Sequence, residues 1–261
     1  MKLVMYQVDA FAEKTFEGNP AAICPLSSWL PDEVMQSIAE ENNLSETAFF
    51  VPTERGFNIR WFTPATEVDL CGHATLAAAY VIFTYLGFNE KIISFESRSG
   101  LLTVETADGL LIMNFPSRPP IPCQIPDKII QAFKSTPVEC LKSEDYIVVF
   151  DNENVVASLR PDFDALSKLD LRGVAITAKS DKYDFIARFF APKYGINEDP
   201  VTGSAYTQLT PYWSNRLGTT KLHAKQVSSR GGEVFCELVD NRVSIAGRAV
   251  TYMVGEIDIK I

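Results

Sequence analysis

Several residue patterns that mark common functional classes are absent from this 261-residue chain. It has only two histidines, and neither a Cys-x-x-C pair nor a helical His pair, so we expect no metal site. It also lacks G-x-G-x-x-G after a strand and G-x-x-x-x-G-K-[ST], the two usual loops for nucleotide phosphates. No apolar run reaches the ~18–20 residues of a membrane helix, and the N-terminal segment resembles a strand more than an export signal.

Basic residues are in deficit. The chain has 24 Lys and Arg against 33 Asp and Glu, a net charge of −9, whereas a protein that follows a phosphate backbone needs a basic face. We therefore expect no nucleic-acid partner and no membrane association. The five cysteines are odd in number and widely spaced, which predicts reduced thiols and a cytoplasmic location.

The chain does contain an internal repeat. "FNIRWFTP" from Phe57 matches "FIARFFAP" from Phe185, and "EVDLCGHA" from Glu67 matches "EDPVTGSA" from Glu198. The matches occur in the same order and at nearly the same offset, about 130 residues. Two copies are too few for a solenoid, so the repeat predicts two similar domains.

The domain boundaries follow from the repeat and from a Pro-rich connection at residues 118–126. We place the first half at 1–117 and the second at 127–261, with the option that the last strand crosses back to the first half. Strand patterns surround one predicted helix at 72–86 and another that starts at Ser204. The fold class is therefore α+β, with a curved, mostly antiparallel sheet against a central helix in each half.

The two predicted helix starts are candidate anion sites. Gly72 and Gly203 occupy matching positions, and the first turn of a helix offers free N–H groups and a partial positive charge. If the halves face each other, both starts point into one cleft, where a carboxylate would bind. The alternative is that the small residues only allow close packing of helix and sheet.

Four stretches resemble the signature of the PhzF-like isomerases, which are phenazine-biosynthesis-type proteins with the diaminopimelate epimerase fold. They are "GNPAAI" (18–23), "NLSETAFF" (43–50), "FTPATEVDLCGHATLAAAY" (62–80) and "EDPVTGSA" (198–205). The resemblance covers nearly the whole chain, in the family's order. It implies two pseudo-symmetric halves with the active site in the cleft between them.

The resemblance also implies a cofactor-free isomerase that moves a proton between carbons of a small carboxylated metabolite, in a homodimer. Glu46 is the implied general acid/base, and a carboxylate ahead of an apolar strand is partly desolvated, which favours proton shuttling. Further implied catalytic residues are His73, Asp199 and Ser204. The implied substrate-binding residues are Gly18, Asn19, Pro20, Gly72, Thr202 and Gly203.

Cys71 distinguishes between relatives of this fold. A two-thiol epimerase or racemase uses one cysteine at each helix start, but the position that matches Cys71 is Thr202, whose hydroxyl is far too weak an acid to replace a thiolate. That mechanism is disfavoured. Cys71 is either a thiol poised by the helix N-terminus or a small buried residue, and we favour the second interpretation. A protein that binds a small ligand without turnover remains the other alternative.

Overall fold

The computed structural model describes residues 1–260, and the described part contains eighteen strands and six α-helices. The strands are β1 Lys2–Ala10, β2 Asn19–Pro25, β3 Glu46–Thr53, β4 Gly56–Phe62, β5 Glu67–Val68, β6 Ile92–Ser97, β7 Gly100–Ala107, β8 Leu110–Pro116, β9 Ile121–Pro122, β10 Glu139–Lys142, β11 Tyr146–Val149, β12 Val174–Lys179, β13 Phe185–Ala191, β14 Ile196–Asp199, β15 Lys221–Gln226, β16 Gly232–Val239, β17 Arg242–Gly247 and β18 Ala249–Asp258. The helices are α1 Asp32–Asn42, α2 Gly72–Tyr85, α3 Asp127–Phe133, α4 Glu153–Ser158, α5 Phe163–Ser167 and α6 Tyr206–Leu217. Among the described residues, no helix combines the length and the apolar composition that crossing a bilayer requires.

The chain divides into two compact units. Unit 1 contains Met1–Asn114 and Ala246–Ile261, and unit 2 contains Phe115–Ile245. The sequence-based halves, 1–117 and 127–261, differ from these units at residues 115–117, which belong to unit 2, and at the C-terminus, where the sequence left open that the last strand crosses back. Strand β18 lies with unit 1 because its whole length pairs antiparallel with β1.

In unit 1 most strand pairs are antiparallel. β1 lies between β18 and β2, and β3 pairs with β4, β6 with β7 and β7 with β8 in the same sense. The parallel pairs are β2 with β3 and β4 with β6, and a helix lies between the two strands of each. Helix α2 connects β4 to β6 and contacts β1, β2 and β3. Its first eleven residues are mostly buried alanines and aliphatics, so it is apolar on nearly every side.

Unit 2 has the same succession of elements. β11 and β12 are parallel, and α4 and α5 lie between them in the chain. β12 and β13 are antiparallel. β13 and β15 are parallel, and α6 lies in the chain segment that connects them. The sequence predicts that the second helix starts at Ser204. The structure instead begins with a 3-10 turn at Gly203–Ala205, closed by Ala205 N–H to Thr202 O, and the α-helix follows from Tyr206 and continues through Pro211.

The duplication is visible in matching ion pairs. Arg60 and Glu67 make two parallel hydrogen bonds of 2.7 Å, and Arg188 and Glu198 make the same pair at 2.7 and 2.9 Å. Each pair joins a long strand to the short segment that leads into the central helix. The residues that align in the sequence repeat therefore form the same ion pair in both units.

Candidate active site

Glu46 is the first residue of β3, opposite Ala21 of the parallel strand β2. The next five residues of β3 are buried, which draws the start of the strand inward. The Glu46 side chain is only 12% exposed. The strand thus holds a carboxylate largely out of water, as the sequence predicts.

His73 is the second residue of α2, and its side chain is 8% exposed. Its Nε2 lies 3.1 Å from Oε2 of Glu46, within ion-pair distance. The two atoms are not aligned as a hydrogen bond, and within the described residues neither makes another one. Buried polar atoms without a partner are costly, so this pair is unusual for a purely structural role.

Two side chains lie against the other ring nitrogen of His73, and a third orients one of them. Asn19 Nδ2 lies 3.3 Å and Cys71 Sγ 3.5 Å from Nδ1. Ser45 Oγ donates to Asn19 Oδ1 at 3.2 Å and so orients the amide with its NH₂ toward the ring. In the neutral ring, Nδ1 accepts and Nε2 carries the hydrogen. Protonation of Nδ1 requires the amide to turn over, and Nε2 carries its hydrogen in both states.

The electrostatics of the cluster favour a charged histidine. Burial alone would lower the pKa of His73, but its interactions with the Cys71 sulfur and the Glu46 carboxylate outweigh burial and raise that pKa well above its ordinary value. Burial, reinforced by the charge of Glu46, raises the pKa of the Cys71 thiol.

The start of α2 lies directly beside this cluster. Cys71 occupies the N-cap position, and its carbonyl accepts the first helical bond from Thr75 N–H at 3.1 Å and the Thr75 hydroxyl at 2.6 Å. Gly72 follows, and a Cβ at this glycine would meet nothing within 4 Å. The first-turn amides are thus next to open space, the condition that an anion needs to approach them.

The same cluster has donor atoms that suit a metal ion. One ligand atom each from Glu46, Cys71 and His73 lies within 4.8 Å of the others. Sequence spacing did not indicate this group, because Glu46 is distant in the chain. Cys71 lies next to Nδ1 of the ring, and Glu46 lies next to Nε2. A single ion could therefore be coordinated by His73 and by both of these neighbours only after a rotation of the ring.

The predicted GNP segment contributes one direct contact with His73. Asn19 is fully buried and makes that contact, whereas Pro20 pairs with Asp9 in the sheet. Gly18 has a φ of +67°, and a Cβ there would lie 2.1 Å from Ala10 O. The structure thus gives this glycine a backbone role.

In unit 2 the predicted residues form a tightly bonded loop. Thr202 Oγ1 donates to Asp199 Oδ2 at 2.5 Å, and Thr202 N–H donates to Gln226 Oε1 at 3.0 Å. Gln226 is 1% exposed, and its Nε2 donates to Asp199 O at 2.8 Å. The backbone N–H of Thr202 is therefore engaged within the loop.

Ser204 and Gly203 form the 3-10 turn that precedes α6. Arg172 donates to Ser204 Oγ at 3.0 Å and makes two hydrogen bonds to the fully buried carboxylate of Asp145, at 2.9 and 2.6 Å. Because Ser204 Oγ accepts from the guanidinium, its own hydrogen is directed elsewhere. Gly203 is buried.

The structure thus brings Glu46, His73 and Asn19 together in unit 1, and Asp199 and Thr202 in unit 2. Sequence reasoning missed four residues that hold these groups. Ser45 directly precedes Glu46 in the stretch "NLSETAFF", so the sequence motif that indicates Glu46 also contains Ser45. Nothing in the sequence indicates the contacts of Gln226 with Thr202 and of Arg172 with Ser204, which join separate segments. Cys71 is only two residues from His73, but sequence spacing does not show that its sulfur lies against Nδ1.

Comparison with known proteins gives concordant results. The family model described as phenazine biosynthesis-like protein matches residues 8–255. An uncharacterized isomerase of Pseudomonas aeruginosa is 51% identical over 255 residues, which cover 98% of each chain.

Solved structures extend this similarity to the fold. A phenazine biosynthesis protein of the PhzF family from Enterococcus faecalis is 47% identical, with a TM-score of 0.98 over 99% of this chain and 100% of its own. A hydroxyproline epimerase from Agrobacterium vitis covers 98% of this chain and 92% of its own at TM-score 0.63, but it is only 8% identical and shows the fold alone. The predicted α+β, epimerase-like fold class is confirmed.

Proposed function

The chain belongs to the phenazine biosynthesis-like family, and from that membership we propose that it is a cofactor-independent isomerase in which Glu46 moves a proton between carbons of a small carboxylated metabolite. Relatives over the full length of the chain are named isomerases, and the chain is an isomerase of the PhzF type. The substrate class, the role of Glu46 and the independence of a cofactor are our proposal.

The observation that carries the proposal is the buried pair of Glu46 Oε2 and His73 Nε2. The two atoms lie 3.1 Å apart, and both lack an aligned hydrogen bond in the described structure. Folding leaves such atoms unsatisfied only at a cost, and a bound substrate that supplies both an acidic C–H and an oxygen acceptor would remove it.

The proposed reaction has two proton transfers. In the first, the Glu46 carboxylate takes the proton, the C–H electron pair enters the substrate's π system, and His73 Nε2–H donates to an oxygen on which negative charge develops. In the second, the Glu46 carboxylic acid returns the proton to a different carbon, and the double bond shifts. Atoms and charges balance within the substrate and Glu46, so the step needs no cofactor.

The substrate carboxylate is proposed to bind at the start of α2. The first-turn amides next to Gly72 and the open space beside this glycine suit an anion. On the family resemblance, we also propose that Asp199 and Ser204 position the substrate and that Gly203 offers it a second set of amides. The same resemblance leads us to propose a homodimer, which light scattering tests.

A one-base reaction fits the chain better than a two-thiol epimerase. Cys71 and Thr202 are the N-cap residues of the two equivalent turns, so the second thiol position holds a hydroxyl. Burial also raises the pKa of Cys71, which keeps it a thiol rather than the thiolate that such a mechanism requires.

The test is hydrogen exchange at carbon. A thermal-shift screen of small carboxylic acids first selects ligands, since ligand stabilisation grows as RT ln(1 + [L]/Kd). Each hit is then incubated with the protein in deuterated water, and mass spectrometry follows the incorporation of deuterium. We expect the wild type to incorporate deuterium and Glu46→Gln, which keeps the shape of the side chain, to incorporate none.

Cys71→Ala is the matched control, because it changes a neighbour of His73 without removing the proposed acid/base. It should retain exchange above the level of Glu46→Gln. Normal exchange by a folded Glu46→Gln protein would refute the assignment. Ligand binding without exchange in the wild type would instead indicate a protein that binds and does not turn over.

A further inference from the structure

Two cysteines of unit 2 lie side by side, Cys140 in β10 and Cys123 directly after β9. In the β9–β10 pair, Leu141 is opposite Pro122 and Lys142 is opposite Ile121. The same register places Cys140 opposite Cys123, and Cys123 N–H donates to Cys140 O at 2.9 Å. Their sulfur atoms are 3.6 Å apart.

This geometry is compatible with a covalent bond. Opposed residues on antiparallel strands have Cα atoms about 4.5–5.5 Å apart, inside the range of about 4.4–6.8 Å that disulfides occupy. Sulfurs in van der Waals contact need only small side-chain rotations to bond. The backbone hydrogen bond between the two residues already holds them in register.

We propose that Cys123 and Cys140 form a dithiol that hydrogen peroxide converts into an intramolecular disulfide. The proposal concerns a modification site in unit 2 and stands independently of the proposed isomerase chemistry. All five cysteines are free thiols in the structure, so this is its reduced form.

The two thiols differ in access, and this difference assigns their roles. Cys123 is half-buried, and its chain neighbours Pro122 and Gln124 are exposed, so a small oxidant can reach it. Cys140 is 3% exposed and packs in the apolar core of unit 2. Burial, together with its contact to Cys123, raises the pKa of Cys140 to about 12. Cys123 is therefore the thiol that peroxide oxidises, and Cys140 is the partner that resolves the product.

The chemistry balances in two steps. The Cys123 thiolate attacks one oxygen of hydrogen peroxide, the O–O bond breaks, and hydroxide leaves while sulfur is oxidised to the sulfenic acid. Cys140 sulfur then attacks Cys123 sulfur, the S–O bond breaks, and the Cys140 proton leaves with the oxygen as water. Two thiols and one peroxide thus yield one disulfide and two waters. The enforced contact compensates for the weak nucleophilicity of a buried thiol.

The bond would close a loop that contains α3. Helix α3 contributes Ile129, Ala132 and Phe133 to the same apolar core that contains Cys140. A cross-link across this segment restricts the unfolded chain and ties α3 to the sheet. We therefore expect the oxidised protein to melt several degrees higher than the reduced protein.

The experiment treats the full-length protein with a slight excess of hydrogen peroxide. Intact mass should fall by two hydrogen atoms, thiol titration should lose two of the five cysteines, and a non-reduced digest should contain a peptide pair that joins Cys123 to Cys140. Dithiothreitol should reverse all three changes and lower the melting temperature again.

Matched variants separate this pair from general oxidation. Cys123→Ser and Cys140→Ser should each abolish the mass loss, and Cys236→Ala, at another buried cysteine of unit 2, should leave it intact. The wild-type measurement decides the question even if a variant folds poorly. Retention of all five thiols, linkage between other cysteines, or oxygen addition at Cys123 with Cys140 still free would overturn the proposal.

Discussion

Gly72→Ala separates the folding role of the α2 start from its proposed binding role. Gly72 is the first residue of the helix, and the added Cβ would meet no atom within 4 Å. Gly72 is also not one of the glycines with a positive φ, so its backbone does not adopt the left-handed conformation that favours glycine. Neither packing nor backbone conformation therefore requires glycine at this position. The proposed carboxylate site is the reason for this glycine that Gly72→Ala tests.

The expected stability change is a gain. Replacing glycine by alanine in a helix stabilises it by about 0.5–1 kcal/mol, since alanine loses less conformational freedom on folding. The expected change in carboxylate binding has the opposite sign. A hydrogen bond to a charged group contributes about 1.5–3 kcal/mol, so displacement of one amide contact weakens binding roughly 10- to 150-fold.

Urea unfolding measures the first effect, and the Kd of a carboxylic acid found in the ligand screen measures the second. Gly18→Ala is the control for a glycine that the backbone needs, since its φ is +67° and its Cβ would lie 2.1 Å from Ala10 O. That variant should lose about 1–3 kcal/mol of stability. A Gly72→Ala protein that is more stable and binds as tightly as the wild type would refute the assignment of the carboxylate site.

Two further predictions concern charged groups. In ¹⁵N NMR, His73 should titrate above the ordinary value of 6.5, and Glu46→Gln should lower its pKa by removing a neighbouring negative charge. The pKa of His73 is higher in the folded than in the unfolded state. The stabilisation linked to this proton is therefore fully present below about pH 6.5 and is lost as pH rises through the raised pKa. A His73 that titrates at or below 6.5 would contradict this prediction. Glu198→Ala leaves Arg188, whose side chain is 6% exposed, without its carboxylate and should cost about 3–5 kcal/mol in urea unfolding. Arg188 Nη1 also donates to the carbonyl oxygens of Val156 and Leu159 at 3.0 and 2.8 Å, and a cost below about 1 kcal/mol would show that these contacts suffice alone.

The duplicated architecture could be predicted from sequence because both copies retain the residues that build it. Arg60 and Arg188 occur in matching motifs, and the structure gives them matching carboxylate partners. The start of α2 at Gly72 was also predictable, since an Ala-rich run follows a glycine. The position of β18 could be stated only as an option, because its residues carry a strand pattern that does not specify which strand it pairs with. Its partner, β1, is at the other end of the chain.

The candidate site was predictable as a set of residues but not as a set of contacts. Motif resemblance indicated Glu46 and His73, yet the 3.1 Å approach between them depends on how β3 meets the start of α2. Cys71 shows the limit most clearly. Its repeat partner argues against thiol chemistry, and the structure agrees that burial keeps it protonated, but its sulfur also contacts the His73 ring. A comparison of repeat positions carries no information about that contact.

The two copies share a scaffold and differ in chemistry at equivalent positions. Glu46 begins β3 and Val174 begins β12, and each is the first residue of a strand that pairs in parallel with the strand before it. Val174 is 1% exposed, where a carboxylate would be a buried charge. Two residues earlier, Arg172 instead holds the buried Asp145 and the hydroxyl of Ser204. Unit 1 thus carries the titratable carboxylate, and unit 2 carries a fixed polar network in its place. A reaction in which one base removes a proton and the same group returns it requires only the first, so divergence of the copies is what a one-base isomerase predicts.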